Sequence, residues 1–178
     1  NIEINKVNIE KYFQPFVDIY HKNMKRLNAD KYYYFSTNYF TDLKDLTYKS
    51  GYLVGATEQE KLIGASIFLF GKKNLHYHLS ATEYQCAPGL SNSLIDAGLQ
   101  ICKKEALNML HLGGGSSNSS SNNLYRFKKS MGNIEHLFSI GWKIHHPEIY
   151  NKIKKIFAVK FRDSFQKHGN KILFYRFK

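Results

Sequence analysis

The spacing of apolar positions changes period several times along this chain, and each change predicts an element. Residues 1–7 set Ile2, Ile4 and Lys6 against Glu3, Asn5 and Val7, the alternation of a short strand. Ile9, Tyr12, Phe13, Phe16, Val17, Tyr20 and Met24 then recur at helical spacing, with one stripe to bury. Pro15 falls inside that stripe and predicts a kink or a helix start. A second helix is predicted over 37–46, behind the aromatic cluster Tyr32, Tyr33, Tyr34 and Phe35. Strands follow at 51–57, 62–70 and 75–80, joined by the turns Glu58-Gln59-Glu60-Lys61 and Gly71-Lys72-Lys73-Asn74. In the third, strict alternation places His76, His78 and Ser80 on one face and Leu75, Tyr77 and Leu79 on the other.

Helical spacing returns over 88–107, with Pro88 in the first turn, and residues 109–112 form a short apolar strand. A short helix is predicted within 124–132, a strand at 137–144 and a helix from 147 to 168 that turns Ile149, Ile153, Ile156, Phe157 and Phe161 inward. Residues 171–178 alternate as a closing strand. This order predicts an α/β (α+β) domain over 1–178, with one mixed central sheet flanked by helices. No stretch repeats another.

The stretch from Met109 to Gly132 carries the chemistry. Met109-Leu110-His111-Leu112 runs into Gly113-Gly114-Gly115, a Ser/Asn tract follows, and Leu124-Tyr125-Arg126-Phe127-Lys128-Lys129-Ser130-Met131-Gly132 closes it. Consecutive glycines let backbone approach a ligand, since no Cβ intervenes. Lys128 and Lys129 add positive charge beside that opening, which suits an anionic or carbonyl-bearing ligand. The alternative is a flexible Gly/Ser linker.

Composition narrows the class. The chain is 43% hydrophobic and 22% charged, an ordinary globular balance. Its net charge of +12 favours anionic partners such as nucleic acid, a phosphorylated cofactor or an acidic membrane surface. Two cysteines, Cys86 and Cys102, are too few for a disulfide framework and point to a reducing, cytoplasmic setting. No apolar run is long enough to span a bilayer as a helix, and His145-His146 has no partner ligands nearby, so no metal is assigned. The chain starts at Asn1 rather than Met, as expected of a processed chain or the C-terminal part of a longer, two-domain protein.

The element order is similar to the GNAT acyltransferase fold. Leu110-His111-Leu112-Gly113-Gly114-Gly115 followed by Phe127-Lys128-Lys129-Ser130-Met131-Gly132 resembles the FemAB-like branch, whose members show a strand ending in glycines and then Phe-Lys-(Lys/Arg)-x-Phe-Gly. Met131 replaces the second Phe. Met24-Lys25-Arg26 leading to Tyr32–Tyr34 and Phe35, and His76-Tyr77-His78-Leu79-Ser80, resemble that branch as well.

The resemblance implies transfer of an aminoacyl or acyl group to an amine of a cell-wall or surface-sugar precursor. It implies no tightly bound cofactor, with aminoacyl-tRNA or an acyl-CoA as donor. It also puts Lys128 at the position implicated in catalysis in tRNA-dependent members. GNAT enzymes hold the CoA pyrophosphate with (Gln/Arg)-x-x-Gly-x-(Gly/Ala) at the start of the central helix. The corresponding stretch here is Gln85-Cys86-Ala87-Pro88-Gly89-Leu90, with Pro88 and Leu90 at the glycine positions. That departure, with the basic residues from Lys152 to Lys178, leans toward tRNA as partner.

The candidate catalytic residues are Lys128, for oxyanion or phosphate stabilisation, and His78, for proton transfer. Arg26, Ser80, Gly113, Gly114, Gly115, Phe127 and Lys129 are candidate substrate-binding residues. His76 ranks below His78. An acyl-CoA-dependent N-acetyltransferase is the alternative, and a non-catalytic nucleic-acid-binding module on the same fold is a second one. Oligomeric state stays open.

Overall fold

The computed structural model describes residues 1–117 and 119–177; Asn118 of the Ser/Asn tract and Lys178, the last residue of the expected closing strand and basic tail, lie outside the described residues. The chain forms two compact units, Asn1–Glu135 and His136–Lys178.

In the first unit, β1 (Ile2–Lys6) leads to α1 (Ile9–Arg26) and α2 (Thr37–Ser50). The meander β2 (Gly51–Glu58), β3 (Lys61–Phe70) and β4 (Asn74–Thr82) precedes α3 (Leu90–Lys104), β5 (Met109–His111) and α4 (Asn123–Met131). The strands lie in the order β1-β2-β3-β4-β5. Neighbours from β1 to β4 are antiparallel, and β5 joins β4 in parallel.

Alternation along β2 and β3 buries both faces of the sheet. Leu53, Ala65 and Ile67 face α1 and α2, where Phe13, Phe16, Tyr20, Phe40 and Leu43 cover them. Val54, Phe68 and Leu75 face the other way, under Leu90, Leu94 and Cys102 of α3. The helix α1 runs unbroken through Pro15. Proline inside a helix costs about 3 kcal/mol, and burial of Phe13, Phe16, Val17, Ile19 and Tyr20 on both sides of it outweighs that. Asn8 and Ser36 cap the two helices, their side chains accepting from the N–H groups of Lys11 and Tyr39. Pro88 lies outside α3, before a Gly89 N-cap at φ +81°.

The strand β4 departs from strict alternation. Ile67 pairs with Leu79 and Phe68 with Tyr77, so His78 is the extra residue of a β-bulge. Leu79 therefore packs with α1 and α2 while Tyr77 packs with α3. His78 turns toward α2, and Ser80 turns to the opposite face, where Ser66 donates to its hydroxyl at 2.9 Å. The expected common face of His78 and Ser80 does not exist.

The second unit holds α5 (Pro147–Lys160), α6 (Arg162–His168) and a 3₁₀ turn at Phe174–Arg176. Phe157 and Phe174 are buried against each other, with ring centres 5.3 Å apart. Three expectations are corrected here. The long helix breaks at Phe161, whose backbone (φ −131°, ψ 59°) is not helical. Ile149, Ile153 and Ile156 are exposed, and of the positions expected to face inward Phe157 is the buried one. Among the described residues, 137–144 and 171–177 form no strand. Alternation marks a face to be buried, but a strand also needs a hydrogen-bonding neighbour, and Leu137 and Phe138 are 98% and 90% exposed.

Candidate active site

The parallel pair β4–β5 is short. Asn74, Leu75 and His76 pair with Met109, Leu110 and His111, and there β5 ends. The strand β4 continues to Thr82, while the segment after β5 turns away through Gly113 at φ +71°. Pairing stops after His76 and His111, which leaves a gap between the rest of β4 and the glycines that follow β5.

Lys128 reaches into this gap from α4. Its ammonium donates to the carbonyl oxygen of Gly114 at 2.9 Å and lies 5.7 Å from the centre of the Tyr77 ring. Burial lowers its pKa below that of an ordinary lysine. Asn122 sets the position of α4. Its side-chain oxygen accepts from the N–H of Tyr125 as the N-cap, and its amide donates to Ser116 Oγ at 2.7 Å. The described part of the Ser/Asn tract thus closes on the start of α4 and sets Lys128 opposite the glycines.

Two histidines of β4 and one of β5 lie beside the gap. His76 Nδ1 and His111 Nδ1 are 2.9 Å apart. His78 Nε2 is 2.8 Å from the hydroxyl of Tyr39 on α2. Burial lowers the pKa of both His76 and His78, and for His76 the neighbouring His111, His78 and Lys128 add to the effect. Burial also raises the pKa of Tyr39, which keeps its phenol protonated.

The remaining candidates are spread more widely. Gly113 and Gly114 border the gap with Lys128. Gly115 packs instead against Asn122 and Tyr125. Lys129 forms an ion pair with Glu135 at 3.0 Å, on the outside of α4. Phe127 is half-buried on α4. Arg26 lies at the end of α1, hydrogen-bonded to Asn23 and 5.2 Å from the ring centre of Tyr84. Asn23 in turn donates to the carbonyl of Thr82, so Arg26 belongs near the C-terminal end of β4 and not with Lys128. A groove of about 450 Å³ at the β1 edge, lined by Lys6, Tyr52, Asp96 and Glu105 among others, includes none of these residues.

His111 and Tyr39 are absent from the sequence-based candidates. The signal for His111 was its place two residues before the glycines, but pairing it with His76 needs the parallel register. Tyr39 is found only through the bulge that turns His78 toward α2.

Comparison with known proteins bears on the fold. No protein-family model matches the sequence, and no curated protein matches it. Solved structures do match. A ribosomal-protein-alanine N-acetyltransferase from Brucella melitensis biovar Abortus 2308 superposes over 81% of this chain and 99% of its own, with TM-score 0.58 and 11% identity. An aminoglycoside acetyltransferase from an uncultured soil metagenomic sample, in complex with sisomicin, covers 80% and 96%, with TM-score 0.59 and 13% identity. The PaiA N-acetyltransferase from Thermoplasma acidophilum, in complex with coenzyme A, covers 74% and 89%, with TM-score 0.51 and 16% identity. The chain has the GNAT fold. At these identities the likeness extends to the fold alone. Among the described residues, no helix is long and apolar enough to cross a membrane, and no group of three or more His, Cys, Asp or Glu is placed to hold a metal.

Proposed function

We propose that this protein transfers an acyl group from an acyl-CoA thioester to an amine. The observation that carries the reading is the gap where β4 and β5 part, with the Lys128 ammonium held in it beside Gly113 and Gly114. A thioester carbonyl placed there develops negative charge on its oxygen as the amine attacks. A fixed cation stabilises that charge without reorganising. The free β4 edge offers backbone groups to an extended donor arm. Histidines on the α1–α2 face supply a route for the amine proton.

The acyl-CoA donor is preferred to the aminoacyl-tRNA that the FemAB-like resemblance implies. A structural neighbour is in complex with coenzyme A, and the acetyltransferase neighbours share the fold. The proline objection is also weaker than the sequence implied. Pro88 precedes the N-cap of α3, so its missing N–H is not one of the first-turn amides of that helix. Leu90 at the second glycine position remains a departure from the usual loop.

A thermal-shift titration with acetyl-CoA, free CoA and tRNA at two salt concentrations tests the donor. Acetyl-CoA at about 100 times its Kd should add roughly 2.7 kcal/mol of stability, with a shallow salt dependence. Thiol release with a panel of primary amines should follow. Tight tRNA binding that falls by orders of magnitude between about 50 and 200 mM salt, with no response to acetyl-CoA, would return the reading to aminoacyl-tRNA.

A further inference from the structure

We propose that His111 and His76 form a single proton acceptor for the attacking amine, with His111 taking the proton and His76 acting as its positioning residue. The inference rests on the acyl-transfer reading above. The two imidazoles come from adjacent strands in parallel register, at the last pair before the strands part. Their Nδ1 atoms are 2.9 Å apart, and the rings lie nearly parallel, with centres 4.9 Å apart. Nitrogens at that distance share one proton, one ring donating and the other accepting. When His111 holds the Nδ1 proton, His76 accepts with its own Nδ1, and the lone pair on His111 Nε2 is free. His111 is exposed and His76 half-buried, so the free nitrogen belongs to the ring that a substrate can reach.

His78 is less suited to the task, because the Tyr39 hydroxyl already occupies its Nε2 at 2.8 Å. The groups facing the pair are Lys128 from α4, His78 from β4 and, through His78, Tyr39 from α2. None is a carboxylate. A second positive charge on the pair would therefore face Lys128 and the first imidazolium together, with no anion beside it.

The amine nitrogen forms a bond to the thioester carbonyl carbon, and the carbon–sulfur bond breaks. Sulfur leaves as the CoA thiolate and takes a proton from water. The surplus N–H proton passes to His111 Nε2, and the resulting imidazolium donates its Nδ1–H to His76. Exposure of His111 then returns the proton to solvent.

Two measurements on the whole chain test this. The first is NMR of ¹⁵N-labelled histidines, which needs no turnover. A scalar coupling across the hydrogen bond should join Nδ1 of His76 to Nδ1 of His111. Absence of that coupling, with each ring in its own solvent-bonded tautomer, would overturn the pairing. The second is the pH profile of kcat/KM with acetyl-CoA and an amine, for wild type and for His111→Asn and His76→Asn. Asparagine keeps a hydrogen-bonding group near the Nδ1 position and removes the base. His111→Asn should lower kcat at least about 100-fold, the scale of general-base catalysis, and abolish the acid limb of the profile. His76→Asn should keep the limb but move it, with KM little changed. An unaltered limb in His111→Asn would overturn the base role. If wild type shows no turnover with acetyl-CoA while the NMR pair is intact, the acyl-CoA reading fails and the base role falls with it, leaving only the shared proton.

Discussion

The ammonium of Lys128 donates to the carbonyl oxygen of Gly114 at 2.9 Å, which ties the last turn of the fourth helix to the glycine turn it faces. The lysine has no carboxylate within ion-pairing distance among the described residues, whereas its neighbour Lys129 is paired with Glu135. Its position therefore leaves the charge available to a ligand. Lys128→Met keeps the aliphatic stem and removes the charge. Turnover should fall by 10²–10³, or roughly 3–4 kcal/mol, while loss of the exposed hydrogen bond should cost only about 1 kcal/mol of stability. Initial rates and thermal melts on the same preparations check both. A rate within about threefold of wild type, far short of that loss, would falsify the oxyanion role.

Stability should depend on pH through His76 and His78. Burial lowers both pKa values in the folded state, so the unfolded chain binds more protons as pH falls through the ordinary imidazole range. The stabilisation is present above about pH 6.5, the unfolded value, and is lost as pH drops toward the folded values. Urea unfolding across pH 5–8 should show this decline, and His78→Gln should flatten it. A decline of the same steepness in the variant would assign the effect to other groups.

Gly98 of the third helix packs directly on the ring of Phe68, where an added Cβ would lie 2.4 Å from a ring carbon. Phe68 is fully buried and cannot swing aside. Alanine would raise intrinsic helix propensity by about 1 kcal/mol, but overpacking costs about 1–3 kcal/mol. Gly98→Ala should therefore lower the melting temperature, and pairing it with Phe68→Leu should recover part of the loss. A higher melting temperature for the single variant would show that the contact relaxes easily.

The first unit was largely legible because its helices and strands each bury a regular stripe. Phe13, Phe16 and Tyr20 mark one face of a helix, and Leu53 and Val54 point to opposite sides of a strand, as their spacing implies. Two features of the site were hidden. A single extra residue at His78 reverses the facing of everything after it, and no periodicity reveals a one-residue slip. The contact between His76 and His111 depends on the register of a three-residue parallel pair distant in sequence. The second unit misled for a different reason. Phe138, Ile140 and Trp142 alternate as a strand would, yet pairing is a property of a neighbour and not of the segment itself.

The three glycines make separable predictions, because each has a different physical reason to lack a side chain. Gly113 sits at φ +71°, a left-handed conformation that costs an L residue about 1–2 kcal/mol, so Gly113→Ala should lose stability through strain. A Cβ at Gly115 would lie 2.6 Å from Asn122 Oδ1 and 2.9 Å from Tyr125 Cβ, so Gly115→Ala should displace the cap that positions Lys128. Gly114 differs from both. A Cβ there meets nothing within 4 Å and its φ is not in the left-handed region, so nothing in the fold itself requires glycine. Its carbonyl holds Lys128, and the space above it opens on the gap. Gly114→Val should therefore leave the melting temperature within about 1 °C, a shift that corresponds to only a few tenths of a kcal/mol, and should weaken acetyl-CoA binding by filling space meant for the ligand. Melts and acetyl-CoA titrations on all three variants separate the roles. Unchanged affinity in Gly114→Val would mean that the donor does not pass over this glycine, and the proposed placement of the thioester beside Lys128 would have to be given up.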